Sequence, residues 1–226
     1  VERETARSTA LPDLPTADAE TIGAGVDLAV ILGGDGTMLT VARKLAAYDV
    51  PLIGINQGRL GFLTDVPLAA MTSTLGAMLD GAYVEEARTL LAATIERAGK
   101  PTEETLALND VVVNRGSHGS VIEIGVDIDN RFVYGMRADG VIVATPTGST
   151  AYALSAGGPI VDPGVPAFAL VPVAPHALTH RPIVVADGSH ITISVQRGID
   201  AAVHCDGQAY FALAEGDRVH VRRAAR

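Results

Sequence analysis

Gly33, Gly34, Asp35, Gly36 and Thr37 follow the short apolar run that ends at Leu32. Glycines after a strand leave backbone N–H groups unobstructed. A helix starting near Thr37 would turn its positive end to the same place, an arrangement that suits a phosphate. The residue at the centre is nevertheless an acid, with no lysine beside it of the kind a P-loop carries. A carboxylate there would repel a phosphate directly, so its use lies elsewhere. It can accept a proton from an attacking hydroxyl, hold a divalent cation that a phosphate shares, or cap the helix.

Three further stretches carry residues of the same kind. GINQGRLGFLTD, from Gly54 to Asp65, leaves a second strand with Asn56 and Gly58 shaping a loop; Gly61 stands beside Phe62, which is either an aromatic wall or a core residue. In LNDVVVNRG, Asn109 and Asp110 open a strand, and an amide next to a carboxylate can serve both hydroxyls of a ribose or merely line a solvated turn. RADGVIVATPTGSTAYALSAGGPI places Asp139 and Gly140 before a buried strand. It then sets Thr145, Thr147, Ser149 and Thr150 around Pro146 and Gly148, with Tyr152 and Ser155 after them. That density of hydroxyls beside exposed backbone suits the base and phosphates of a nucleotide. His204 and Asp206, in HCDGQ, sit at a strand end from which they could approach a cleft. His118, His176, His180, His190, His204 and His220 have no spacing that suggests a metal site on one helix, and no G-x-S-x-G motif supports a serine hydrolase.

The elements that must hold these residues fall into two patterns. Asp27 to Leu32 reads as a strand, Thr37 to Tyr48 as a helix and Pro51 to Asn56 as a second strand, a β-loop-α-β unit with parallel strands. GGDGT and GRLGF then leave the sheet at the same C-terminal edge, where ligands bind in open α/β sheets. Leu68 to Asp80 reads as a helix with Leu68, Met71, Leu75 and Leu79 on one core-facing stripe. Glu2 to Arg7 looks helical, whereas a doubly wound domain usually opens on a strand, so residues 1–87 are expected to form an α/β domain lacking its first strand. From Arg88 onward short β-rich runs separated by polar turns predict an all-β domain over residues 88–226, interrupted by a short glycine-bounded helix between Gly148 and Gly158.

Composition bounds the chemistry. The chain has 226 residues, 48% of them hydrophobic, enough to fill a core. Its formal net charge of -9 argues against a nucleic-acid or anionic-membrane surface, although a local basic pocket could still take nucleotide phosphates. The single cysteine, Cys205, excludes an intrachain disulfide and fits a reducing compartment. No apolar run reaches the length of a membrane span and residues 1–20 lack the apolar segment of a signal peptide, so the cytoplasm is the expected location.

Taken in order, GGDGT, GRLGFL, NDVVVNRG and DGVIVATPTGSTAY resemble the NAD kinase family, with the match running from about Asp27 to Val221. GGDGT alone also resembles 6-phosphofructokinases and diacylglycerol or sphingosine kinases; the combination with TPTGSTAY is specific. The resemblance implies a Rossmann-like α/β N-terminal domain and a β-sandwich-like C-terminal domain, with NAD in the cleft between them, in a homodimer or homotetramer. It implies transfer of the ATP γ-phosphoryl group to the 2′-hydroxyl of the adenosine ribose of NAD, with Mg²⁺ or another divalent metal. Asp35 would be the base or polariser of that hydroxyl, with Gly33, Gly34 and Thr37 at the phosphates and Gly36 shared between the phosphates and NAD. Phe62, Asn109, Asp110, Thr147, Thr150, Ala151, Tyr152 and Ser155 match NAD-binding positions, and Asp139 and Ala174 match positions near the nicotinamide end, reached across a subunit interface. Arg137 lies where a cation could meet the donor's phosphates, a feature that accompanies ATP as donor. Many members carry Glu where this chain has Asp110. A lipid kinase sharing GGDGT and a non-catalytic NAD-binding module are the competing readings.

Overall fold

The computed structural model describes residues 1–9, 14–58, 61–116, 120–177 and 179–225. They form two compact units, residues 1–86 and 87–225.

The first unit runs α1 (Arg3–Ser8), α2 (Ala19–Gly23), β1 (Ala29–Gly33), α3 (Asp35–Leu45), β2 (Leu52–Asn56), β3 (Val66–Pro67) and α4 (Met71–Leu79). The three strands make a parallel sheet in the order β1-β2-β3, with Gly33 opposite Asn56 at the C-terminal edge. Helix α3 buries Met38, Leu39, Ala42 and Leu45, spaced to form one stripe, and this stripe packs α3 along the sheet. The expected stripe after β3 is different. The chain takes a single 3₁₀ turn at Leu68–Ala70 before α4, and no residue of α4 is fully buried. Leu68 is 49% and Leu79 81% exposed, so the stripe is not a core stripe along its length. A three-stranded sheet whose last strand has two residues is too narrow to cover the whole run from Leu68 to Leu79.

The second unit carries β4 (Leu91–Arg97), β5 (Lys100–Ala107), β6 (Asp110–Arg115), β7 (Ile122–Ile128), β8 (Arg131–Ala138) and β9 (Gly140–Ala144). After these come α5 (Tyr152–Ser155), β10 (Ala167–Val173), β11 (Ile183–Ala186), β12 (Ile191–Arg197), β13 (Ala201–Cys205), β14 (Ala209–Leu213) and β15 (Arg218–Arg223). Two six-stranded antiparallel sheets result, β11-β10-β9-β6-β13-β14 and β5-β4-β15-β12-β7-β8. Alternate residues of both sheets, among them Val111, Val113, Ile122, Ile124, Val141, Phe168, Ile191, Ile193 and Val203, close one core between them. Each fully buried Ile, Leu or Phe contributes about 1.5–3 kcal/mol. The sandwich is therefore anchored by its own filling.

The run from Gly140 to Ala144 is buried throughout, on both faces of β9. Ala153 of α5 explains this, because it packs on the outer face of the first sheet against Val112, Ile142, Ala144, Ala169 and Val171. The hydroxyl-rich insertion is a 3₁₀ turn, Thr147–Thr150, followed by one helical turn laid on that face. It roofs half of the sheet and leaves the neighbouring half, over β6, β13 and β14, open.

Candidate active site

In the first unit the site is built around Asp35. Gly34, extended and without a side chain, is the N-cap of α3, so Asp35 is the first residue of the helix and not its cap. Its carboxylate instead reaches the loop after β2. Oδ1 accepts from the backbone N–H of Leu63 and Thr64, both at 3.1 Å, and from the Thr64 hydroxyl at 3.0 Å. Oδ2 accepts only from the Phe62 N–H, at 2.9 Å, which leaves one of its lone pairs without a donor among the described residues. Gly61 makes this approach possible, since a β-carbon there would overlap the carboxylate.

Thr64, fully buried, ties the arrangement to the sheet. Its hydroxyl accepts from the Asn56 amide at 3.0 Å, while the Asn56 carbonyl takes the Gly58 N–H at 2.7 Å. Sequence reading passed over Thr64; the signal was a hydroxyl directly behind the apolar pair Phe62 and Leu63. Phe62 itself is 72% exposed, so the core alternative for it does not hold. Gly33 gives Thr37 its room, because a β-carbon on it would meet the Thr37 hydroxyl and Cβ. Arg59 and Leu60 of the same loop lie outside the described residues.

Replacing Thr64 with Val keeps the volume and deletes one donor to Asp35 and one acceptor for Asn56. The expected result is a roughly tenfold fall in catalytic rate and about 1–3 kcal/mol less stability by denaturant titration. Unchanged kcat would show that the hydroxyl does not position Asp35.

In the second unit the residues gather on the uncovered half of the first sheet. A two-residue period puts Asp110, Val112 and Asn114 on one face of β6. Across the ladder Val112 pairs with His204 of β13, and His204 pairs with Tyr210 of β14. A cavity of about 330 Å³ is lined by Asn109, Asp110, Val112, Asn114, Ala151, Tyr152, His204, Asp206 and Gly207. A second, of about 660 Å³, shares Asn114, Tyr152 and His204 with it and adds Arg115, Asp139, Val173, Asp200 and Tyr210. Tyr152 is 44% exposed and borders both, and the His204 ring meets Tyr210 edge-on at 5.1 Å.

The wall of the smaller cavity is fixed by two contacts. A β-carbon on Gly148 would overlap the backbone carbonyl of Asn109, so the TPTG turn is pressed on the start of β6. The Thr145 N–H donates to that carbonyl at 2.9 Å and the Thr145 hydroxyl donates to the Leu108 carbonyl at 2.6 Å. On the other side Asp206 is buried in the turn between β13 and β14 with φ of 54°. Its carboxylate accepts from the N–H groups of Leu108, Asn109 and Asp110 at 3.0, 2.7 and 3.3 Å. Asp110 is only 5% exposed, and its carboxyl finds no hydrogen-bond donor among the described residues. Burial first, and then the nearby Asp206 charge, push its pKa up to about 7. Burial also holds the His204 imidazole below the ordinary histidine range.

The remaining expected residues are more dispersed. Asp139 lines the larger cavity and is held by Arg115 at 2.7 Å. Ala174 follows Val173, a wall residue of that cavity, in a left-handed conformation with φ of 45°. Thr147 is buried with its hydroxyl accepting from Arg88 at 3.3 Å, Thr150 bonds back to the Thr147 carbonyl, and Ser155 is exposed on α5. Arg137 lines neither cavity; it stands on β8 and pairs with Glu123 at 3.5 Å. Asn114, Arg115, Tyr210 and Gly207 are wall residues that motif reading did not single out, though the period of β6 points to Asn114. His118 lies outside the described residues.

Comparison with known proteins matches both units of the chain to one family. The ATP-NAD kinase N-terminal domain family matches residues 2–83 and the ATP-NAD kinase C-terminal domain family residues 108–226. A relative from Laribacter hongkongensis, described as an NAD kinase, is 52% identical over 223 residues, 99% of this chain and 77% of that protein. Another NAD kinase, from Nitrosospira multiformis, is 56% identical over 210 residues, 93% of this chain and 71% of its own length. Among solved structures, yeast NADH kinase complexed with NADH superposes with a TM-score of 0.91 at 30% identity, covering all of this chain and 70% of that one. An NAD kinase from Archaeoglobus fulgidus in complex with ATP gives 0.77 at 28% identity, covering 99% and 86%.

Proposed function

The chain belongs to the NAD kinase family, and from that premise we propose that it phosphorylates the 2′-hydroxyl of the adenosine ribose of NAD with the γ-phosphoryl group of ATP. The observation that carries the chemistry is the Asp35 carboxylate: four donors hold it in place and, among the described residues, one lone pair of Oδ2 is left over. That lone pair takes the hydroxyl proton as the oxygen attacks phosphorus. Phosphoryl transfer needs positioning and charge neutralisation more than covalent help, which is why an acid, and not a lysine, sits in the glycine loop.

Each of the other residues has a bounded task. Gly33, Gly34, Gly36 and Thr37, at the head of α3, present backbone and hydroxyl donors to the donor's phosphates. Asn109 and Asp110 hold the ribose diol, Tyr152 stacks on the base, and Phe62, Thr147, Thr150, Ala151 and Ser155 complete the NAD contacts. Asp139 and Ala174 serve the nicotinamide end and Arg137 the donor's phosphates. A homodimer or homotetramer is part of the same reading, with exposed Phe132 and Val133 on β8 as apolar surface in its support. So is a cytoplasmic location, supported by the single cysteine. Among the described residues no helix is long and apolar enough to cross a membrane.

A divalent metal such as Mg²⁺, when bound with ATP, would neutralise the charge on the transferring phosphoryl group. Among the described residues no group of three or more His, Cys, Asp or Glu side chains gathers into a cage. That fits a metal brought and held mainly by the nucleotide's own phosphates. The lipid-kinase alternative is set aside, because the C-terminal family match covers a domain built around the NDVVVNRG and TPTGSTAY stretches.

The test is formation of NADP from NAD, ATP and Mg²⁺, coupled to an NADP-specific dehydrogenase. Turnover with NAD and none with a diacylglycerol or sphingosine acceptor is the expected result. NAD binding by calorimetry without any NADP would identify a binding module instead.

A further inference from the structure

Two buried carboxyl groups line one cavity and are treated oppositely by their surroundings. Asp206 is saturated, with three backbone N–H groups directed at its carboxylate. Asp110, the neighbour whose carbonyl accepts the Asp206 N–H at 3.0 Å, has no donor for its carboxyl among the described residues and faces the cavity. The donors stabilise the charge on Asp206. A second charge beside it, desolvated and without a donor, is unfavourable. The empty cavity therefore keeps Asp110 mostly protonated below about pH 7, in keeping with its upward shift.

A ribose diol changes the balance. Two hydroxyl donors arriving at Asp110 make charge-assisted hydrogen bonds only with the ionised form, and such bonds are about twice as strong as neutral ones. We propose that binding of NAD ejects one proton to solvent from the Asp110 carboxyl, and that Asp206 is the positioning residue that loads that proton by fixing the Asn109–Asp110 corner and charging it. The inference rests on the reading that this cavity takes the ribose of NAD. The sign is as follows: the empty form binds the proton more tightly than the occupied form, so affinity rises with pH up to the empty-site value near 7 and is flat above it.

The other groups facing Asp110 do not reproduce this behaviour. On β13 burial holds the His204 imidazole below its ordinary range, on α5 the neighbour is Tyr152, on β9 the paired residue is Ala144, and Arg88 is engaged with Thr147 of the TPTG turn.

The experiment is calorimetric titration of NAD into the chain from pH 5.5 to 8.5, in two buffers of different ionisation enthalpy so that protons are counted. Wild type is expected to gain about tenfold in affinity per pH unit below the midpoint and to release close to one proton there. Asp110→Asn should be weaker and flat with pH, which also removes His204 as the source. Asp206→Asn should move the midpoint at least one pH unit toward acid. Proton release that persists in Asp110→Asn, a wild-type profile without slope, or an Asp206→Asn profile that is lower at every pH with the same midpoint would each overturn the proposal. Should Asp206→Asn not fold, the wild-type proton count and Asp110→Asn still decide it. If wild type fails to bind NAD at any pH, the functional reading fails instead.

Discussion

Asp35→Asn is expected to form NADP about a thousandfold more slowly than wild type, a loss of about 4 kcal/mol of transition-state stabilisation, while binding NAD within threefold of the wild-type affinity. The substitution is close to isosteric. Its carbonyl oxygen can still accept from Leu63, Thr64 and the Thr64 hydroxyl in the place of Oδ1. The amide nitrogen, however, faces the Phe62 N–H where Oδ2 accepted, donor against donor, and it has no lone pair for the attacking hydroxyl. The loop from Phe62 to Thr64 then loses one of its four ties and the reaction loses its proton acceptor. The measurement is a coupled rate with saturating NAD and ATP beside a calorimetric NAD affinity. A variant retaining more than a tenth of the wild-type rate would remove Asp35 from the chemistry and leave it a loop anchor.

Gly148→Ala is the second large effect. The added methyl falls on the backbone carbonyl of Asn109, which no rotamer change can move aside, since that carbonyl also accepts the Thr145 N–H. Either the 3₁₀ turn lifts from β6 or the Asn109–Asp110 corner shifts, and both deform the smaller cavity. Overpacking of this kind costs about 3 kcal/mol, which lowers the melting temperature by roughly 10 °C for a chain of this size. The KM for NAD should rise at least about tenfold, an amount equal to about 1.4 kcal/mol of binding. Gly76→Ala is the control: it lies inside α4, a β-carbon there meets nothing within 4 Å, and the change should raise stability by up to about 1 kcal/mol. Equal melting temperatures for the two variants would show that the turn yields without cost.

Much of this could be read in the chain before any coordinates. The β-loop-α-β unit and the later change to short antiparallel strands follow from periodicity, and the sheets have both patterns. Asp35 stood out because an acid in a glycine loop is chemically odd. What it touches did not, because hydrogen bonds from Phe62, Leu63 and Thr64 span 27 to 29 residues and depend on how two loops leave one sheet edge. Helix α4 shows the opposite failure. Its apolar spacing is real, yet spacing says which residues share a face and not whether anything covers that face. Tyr210 was missed for a third reason: a cavity wall assembled from cross-strand neighbours has no local signature, and the register of β6, β13 and β14 had to be known first.

The close approaches of Gly61 to Asp35 and of Gly148 to Asn109 also govern how this sequence can drift. Most surface positions can change alone, and most core positions can be rescued by a smaller neighbour. Here the neighbour is the Asp35 carboxylate, which the proposed reaction needs, in one case and a peptide carbonyl, which every residue carries, in the other, so neither can give way. Each glycine is thus a position without a compensating partner. In a library randomised across the chain, functional survivors should vary freely at Gly58, where a β-carbon meets nothing within 4 Å, and return glycine at 61 and 148.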